Sequence, residues 1–329
     1  MQDRRSDYDV TNRVCVTSSD AVRDEVCRLF RDCFPAADAD AIWLAFHDFD
    51  RLFRGRLPGY LGCDTVYHDR QHSLDMTLAM ARLLTGYERS CEPADCLGPE
   101  RATLGLLAAL FHDAGYIRRS GEEHRRNGAE MTGWHVSRSA DFLRDWLPRV
   151  GLGELAPLAA QIVHYTGYEL NLDEIELDDP RDAIIGHLLG SADLLAQMAD
   201  RCYLEKCRDR LYAEFVLGGV AFRRLPGGGR EIRYASGIDL LRQTPDFWKD
   251  AARQRLERNF NRAYRYMELL FDGQNPYMDW IEKNLAYLDS LIRNDQWQGL
   301  RRQPACHTAD PDTLAEVSAL VSRRVIEFV

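Results

Sequence analysis

Histidines and aspartates recur between residues 68 and 193 of this chain of 329 residues. The set comprises His68, His72, the adjacent pair His112 and Asp113, and then His135, His164 and Asp193. Neutral imidazole and carboxylate groups are ligands of borderline or hard divalent ions, and such an ion lowers the pKa of water toward neutrality. Helices that each contribute one or two of these side chains can build a metal site inside a bundle. The set therefore predicts a metal centre that activates water.

The segments that hold these residues have the periodicity of helices. Apolar side chains recur at helical spacing over residues 66–85, and residues 101–114 are apolar on nearly every side, as in a buried helix. In a helix, His68, His72 and Asp75 stand at positions i, i+4 and i+7 and share one face. The neighbouring positions on that face are apolar, which predicts that it points into the protein. Ionisable groups are rarely buried without partners, so this face favours a site.

Proline after a capping residue marks further helix starts. These starts are Asp179-Pro180, Thr244-Pro245, Asn275-Pro276 and Asp310-Pro311. A strand-like pattern is confined to residues 220–223 and 231–234, which predict one hairpin between residues 219 and 235. The sequence therefore predicts an all-α fold, a helical bundle with flanking N- and C-terminal helices and at most one short β-hairpin.

The helical segments divide the chain into three predicted parts. Residues 1–59 form an N-terminal helical segment, residues 60–216 hold all the candidate ligands, and residues 217–329 form a C-terminal helical extension. A chain of this length can bury a sizeable core. We expect the two flanking parts to pack on the central one.

Composition limits the classes of partner. Hydrophobic residues make up 45% and charged residues 29%, as in folded soluble proteins, and the net charge of −10 argues against binding to nucleic-acid duplexes. The longest apolar run, 104–111, is too short to cross a bilayer, and the N-terminus has no apolar signal region. The nine cysteines form no CxxC metal pattern and predict inert thiols in a reducing compartment. We expect a cytoplasmic protein with no membrane partner.

Five stretches resemble the HD superfamily of metal-dependent phosphohydrolases. LGLLAALFHDAGY, residues 104–116, resembles its signature, an apolar helix that ends in adjacent His and Asp. YHDRQHSLDM, residues 67–76, is similar to a motif of class I cyclic-nucleotide phosphodiesterases. MTGWHVSRSADFL at 131–143 and AAQIVHYTGY at 159–168 resemble stretches of the HD-GYP branch, and GSADLLAQMAD at 190–200 resembles the helix with the last aspartate ligand. The resemblance implies an HD-domain hydrolase.

The resemblance assigns a role to each position. It implies a binuclear metal centre of two divalent ions (Mn, Mg, Fe or Zn) with the ligands His72, His112, Asp113, His135, His164 and Asp193. Asp113 would bridge the two ions, and a metal-activated hydroxide would attack phosphorus. His68 would protonate the leaving oxygen, and Asp75 would orient a ligand. The implied substrate is a small-molecule phosphate ester, a nucleotide, with a 3′,5′-cyclic nucleotide as the first choice. A homodimer is left open.

Two other functions remain open at this point. The same ligand set resembles the di-iron oxygenases of this superfamily, and a degenerate HD module that only binds a nucleotide is the other alternative. The chain also departs from the phosphodiesterase pattern, with Asp69 in place of Asn and Tyr116 in place of a further histidine. Thr166-Gly167-Tyr168 replaces the tripeptide of the HD-GYP branch, which argues against a cyclic dinucleotide.

Arginines and aromatic residues near the candidate ligands leave substrate recognition open. Phosphate-binding candidates are Arg118, Arg119, Arg125 and Arg126. Aromatic residues beside the candidate ligands are Tyr67, Tyr116, Trp134, Tyr165 and Tyr168. For each ring taken singly the expected role is packing in the core, and stacking on a base is the alternative.

Overall fold

α-Helices dominate the computed structural model, which describes residues 4–224 and 227–328. The helices are α1 Ser19–Cys33, α2 Asp40–Phe53, α3 Arg70–Glu88, α4 Gly98–Phe111, α5 His135–Trp146, α6 Ala156–Ile162, α7 Pro180–Ala199, α8 Tyr203–Lys206, α9 Tyr212–Leu217, α10 Gly237–Phe247, α11 Pro276–Asn294 and α12 Thr313–Phe328. π-Helical segments lie at Cys207–Leu211, Trp248–Ala252 and Arg255–Asn259, and several 3-10 turns connect the helices. About 64% of the chain is helical, which confirms the all-α prediction.

The described residues form one β-sheet, which is a two-stranded antiparallel hairpin. Strands β1 Phe222–Arg224 and β2 Arg230–Ile232 pair with Phe222 opposite Ile232. The predicted hairpin lies in the same place but with shorter strands. No described helix combines the length and the apolar character needed to cross a membrane.

Helices α3, α4 and α7 pack against one another at the centre of the protein. Their side chains are buried on nearly all sides, which explains why their sequences are apolar over whole turns rather than along one stripe. One hydrophobic cluster extends from Val10 to Leu300. The N-terminal helices, the ligand-bearing helices and part of the C-terminal region therefore share a single interior. The division of the chain into three parts stays a prediction.

Capping residues set the start of the two longest central helices. The Asp69 carboxylate accepts from the N–H groups of Gln71 and His72, so α3 begins at Arg70. Asp179 caps α7, with Pro180 in its first turn, as predicted. The prediction that His68 shares a helix face with His72 is wrong, because the extended backbone of Asp69 places His68 before the helix.

Two other predictions are wrong. Thr244-Pro245 does not open a helix, because α10 begins at Gly237 under a cap from Ser236 and contains Pro245. Proline removes one helical hydrogen bond, and the chain passes into a π-helical segment after it. Cys91 and Cys96 are not thiols, since they form a disulfide in the loop between α3 and α4, where the turn brings their Cα atoms to 5.4 Å.

Candidate metal centre

Four candidate ligands meet where α3, α4 and α7 pack together. His72 Nε2 lies 3.3 Å from His112 Nε2, 3.5 Å from Asp113 Oδ2 and 3.3 Å from Asp193 Oδ1. His112 Nε2 lies 3.1 Å from Asp113 Oδ2 and 3.9 Å from Asp193 Oδ1. These separations are typical of donor atoms that share one ion at bond lengths of about 2.0–2.2 Å. The structure therefore gathers His72, His112 and Asp113 into one cluster whose ligand atoms all lie within 4.8 Å of one another, with Asp193 beside the two histidines.

The end of α4 aims the adjacent His112 and Asp113 into this cluster. His112 Nδ1 donates to the carbonyl oxygen of Ala109 at 2.8 Å, within the last turn of the helix. In the neutral ring this bond leaves the lone pair on Nε2, which faces His72. Asp113 follows directly and precedes a 3-10 turn, Ala114–Tyr116, and the side chains of His112 and Asp113 are both buried.

His135 approaches the other oxygen of Asp113. Its Nε2 lies 3.9 Å from Asp113 Oδ1, and its Nδ1 donates to the carbonyl oxygen of Thr132 at 2.9 Å. Gly115 permits this approach, because a Cβ at that position would lie 1.8 Å from the backbone oxygen of His135. The two carboxylate oxygens of Asp113 therefore face different histidines, with Oδ2 toward His72 and Oδ1 toward His135.

His164 lies in a short 3-10 turn, Val163–Thr166, rather than in a longer helix. Its Nδ1 is buried without a hydrogen-bond partner among the residues that the structure describes. The following Glu169 accepts from the N–H groups of Val136 and Ser137 and so docks this turn on the start of α5. Burial lowers the pKa of His164 and of His135, which favours the neutral imidazole that ligation requires. The role of His164 as a ligand stays a prediction.

His68 is held beside the cluster by Glu214 of α9. Its Nδ1 lies 2.5 Å from Glu214 Oε2, and Glu214 Oε1 accepts from the N–H groups of Tyr67 and His68. The ring stacks on Tyr116, which in turn stacks on His135, with centroids 4.5 and 4.2 Å apart. Burial opposes a charge on His68, but the carboxylate of Glu214 outweighs it and raises the pKa to about 9. His68 is therefore a protonated group next to the candidate ligands at neutral pH.

Tyr116 stacks on both His68 and His135, so the aromatic ring has a packing role at the position where the phosphodiesterase motif has a histidine. Asp75 has no hydrogen bond to a candidate ligand in the described part of the chain, and its buried Oδ1 has no partner there. Burial raises the pKa of Asp75 to about 7. Of the arginines, Arg118 is held 2.7 Å from Asp64 and is not free for phosphate.

The donors of the cluster fit a divalent cation. Burial raises the pKa of Asp113, but the positive charge that His112 carries when protonated outweighs it and holds this pKa far below the ordinary value, so the carboxylate is charged. A cation bound at His112 Nε2 would take the place of that proton. Asp113 Oδ2 is nevertheless buried without a hydrogen-bond donor among residues 4–224 and 227–328. Buried polar atoms are normally satisfied, and a charged one especially so. A carboxylate oxygen without a donor, set among imidazole nitrogens, is an arrangement that a divalent ion satisfies.

Sequence reasoning missed Glu214 and Glu169. Glu214 is 146 residues from its partner His68, and Glu169 is 33 residues from Val136. Neither glutamate belongs to the motifs on which the ligand prediction depends. A buried glutamate in the apolar segment around α9 was the only local signal for Glu214, since such groups are rarely buried without a partner.

Comparison of the chain with family models, with curated proteins and with solved structures gives no match. The assignment of a function therefore depends on the geometry of the site.

Proposed function

We propose that this chain is a metal-dependent hydrolase of phosphate esters, with a 3′,5′-cyclic nucleotide as the first substrate to test. The observation that supports it most is the position of Asp113. Its Oδ2 lies 3.5 Å from His72 Nε2, and its Oδ1 lies 3.9 Å from His135 Nε2. A carboxylate with histidines at both oxygens is suited to bridge two cations.

The ligand groups would divide between two ions. His72 and His112 face Asp113 Oδ2, Asp193 lies beside these two histidines, and His135 faces Asp113 Oδ1, with His164 as the further donor that the proposal requires. Divalent ions held there would supply Lewis acidity toward a phosphoryl oxygen and would lower the pKa of water. The protein keeps the ligand atoms oriented, since His112 and His135 each donate from Nδ1 to a backbone carbonyl.

His68 supplies the proton that a phosphate diester needs at its leaving oxygen. The carboxylate of Glu214 receives Nδ1–H, so the proton on Nε2 is the one available for transfer. The ring lies beside the ligands, with its centroid 5.7 Å from that of His72 and 6.1 Å from that of His135. Hydrolysis of an ester with a basic alkoxide leaving group uses such an acid, which supports the hydrolase over the oxygenase.

Metal analysis followed by a substrate panel tests the proposal. Purified protein would be loaded with Mn²⁺, Mg²⁺ or Fe²⁺ and assayed on cyclic nucleotides, nucleoside monophosphates and aryl phosphate diesters. We expect close to two ions per chain and turnover of at least one class. Asp113→Ala should abolish turnover and lower the metal content, whereas Asp182→Ala should retain both, because Asp182 is a buried aspartate of α7 that pairs with Arg101.

Other outcomes assign the chain to another class. Oxygen consumption without phosphate release would favour a di-iron oxygenase. Retention of metal with binding of nucleotides but no turnover would favour a binding module. Absence of metal from wild-type protein after loading would contradict the proposal itself.

A further inference from the structure

Solvent reaches the candidate site from the side of His68 and His135. Their side chains are each 17% exposed, whereas those of His112 and Asp113 are 2% exposed. His68 and His135 therefore form the more exposed side of the site, which is the entrance that this inference concerns. The residue directly before His135 is Trp134, whose side chain is 42% exposed although it is a large aromatic residue.

Further exposed apolar residues flank the start of α5. Glu169 binds the N–H groups of Val136 and Ser137, two and three residues after Trp134. The two neighbours of Glu169 in sequence, Tyr168 and Leu170, are both exposed. The hydrogen bonds of Glu169 thus bring Tyr168 and Leu170 to the start of α5, where Trp134 lies. We call Trp134, Tyr168 and Leu170 the entrance patch.

A positively charged side chain lies over the ring of Trp134. The guanidinium of Arg125 lies over this ring, 5.3 Å from its centroid, and pairs with no carboxylate among the described residues. Trp43 provides a contrast, since it is also exposed and has Arg23 over its ring, but Arg23 pairs with Asp20 and Asp24. The charge of Arg125 is therefore available to an anion at the entrance, while that of Arg23 is neutralised.

We infer that Trp134 is the stacking surface for a planar heteroaromatic group of the substrate, which makes the substrate class a nucleotide. The inference rests on the proposed function, because the phosphate of the same molecule would reach the ligands behind His135. A base that stacks on an exposed indole buries two apolar surfaces and gains dispersion energy, and any base can do so. Arg125 adds attraction for the anionic substrate.

Equilibrium binding of two probes tests this inference. Adenosine 5′-monophosphate and ribose 5-phosphate share a sugar and a phosphate and differ by the base, so calorimetric titration of both isolates the contribution of the base. We expect tighter binding of the nucleotide. Trp134→Leu keeps apolar bulk and should weaken nucleotide binding by about 5- to 150-fold, the range for loss of one base stack, with ribose 5-phosphate binding unchanged. Trp134→Phe should restore most of the affinity.

Trp43→Leu is the matched control and should bind both probes as the wild type does. Equal affinities of Trp134→Leu and Trp134→Phe for the nucleotide would overturn the inference, as would equal weakening of both probes in Trp134→Leu. The outcome is separable from that of the proposed function. Turnover of phosphate esters with no effect of Trp134→Leu on binding would support the hydrolase and contradict the stacking role of Trp134. Base-selective binding through Trp134 without any turnover would support the stacking surface and contradict the hydrolase.

Discussion

Replacement of Glu214 by glutamine isolates the proton supply from the metal centre. Glu214 is buried and contacts His68 through Oε2 at 2.5 Å, while Oε1 accepts from two backbone N–H groups. A glutamine has the same shape, and its amide oxygen can still accept from the backbone. The change therefore removes the negative charge beside His68 and leaves the packing of α9 in place.

The charge of Glu214 determines how much of His68 is protonated. With the carboxylates of Glu214 and Asp113 beside it and no bound ion, the pKa of His68 is raised to about 9, so most of the rings carry a second proton at pH 7.5. Without the Glu214 carboxylate, burial lowers the pKa, and bound cations offset the remaining carboxylate charges. A pKa of about 6.5 or less leaves at most about a tenth of the rings protonated. We expect kcat on a cyclic nucleotide to fall at least about 10-fold, and by no more than the 10²–10⁴-fold range of general acid catalysis.

The leaving group makes the assay selective. Bis-p-nitrophenyl phosphate releases a weakly basic phenolate that needs little protonation, whereas a cyclic nucleotide releases a ribose 3′-alkoxide. Glu214→Gln and His68→Ala should therefore lower kcat for the cyclic nucleotide much more than for the aryl ester, with the metal content unchanged. Equal losses on the two substrates would refute proton delivery by His68. Loss of metal in either variant would instead mean that His68 and Glu214 belong to the metal site.

Two further predictions concern packing and pH. Gly115→Ala places a Cβ 1.8 Å from the backbone oxygen of His135 and should lower the metal content from two ions toward one, while Gly133→Ala, with open space around it, should retain both ions. Burial opposes the charge of Asp9, but Arg82 outweighs it and holds the pKa at about 2. The ionised, paired Asp9 stabilises the fold by about 2 kcal/mol. This contribution is fully present above about pH 4 and is lost as the pH falls through 2. Asp9→Asn should therefore lower the free energy of unfolding at pH 7 by about 2–4 kcal/mol, and the difference from wild type should shrink in denaturation curves measured toward pH 2.

The sequence predicted the central helices well because their signals are local. Whole-turn apolar patterns and the cap at Asp179 mark α4 and α7 without knowledge of the rest of the chain. His68 was placed wrongly within a helix, because spacing alone does not reveal that Asp69 accepts from the first N–H groups of α3. Glu214 was missed for a different reason. Its partner is distant in sequence, and only the fold brings α9 to the residues that precede α3, Tyr67 and His68.

Asp69 explains why this chain has an acid where the phosphodiesterase motif has an amide. Its Oδ1 caps α3 by accepting from Gln71 and His72, and its Oδ2 accepts from the N–H of His307 at 3.0 Å. Arg210 Nη1 is also buried 3.8 Å from Oδ2 and has no hydrogen bond of its own in the described chain.

The His307 N–H and Arg210 Nη1, which face Oδ2, are both hydrogen-bond donors. An asparagine that kept the cap would turn its NH₂ group toward them, so that donors would face donors. Asp69→Asn should therefore lower the free energy of unfolding by about 1–3 kcal/mol, the cost of unsatisfied buried polar groups. Chemical denaturation measures this loss, and Asp310→Asn is a control at an exposed aspartate of the same C-terminal segment. Unchanged stability in Asp69→Asn would mean that the residues after Leu300 are not fastened to α3 through this carboxylate. The predicted loss would mean that the C-terminal segment supports the helix that carries His72.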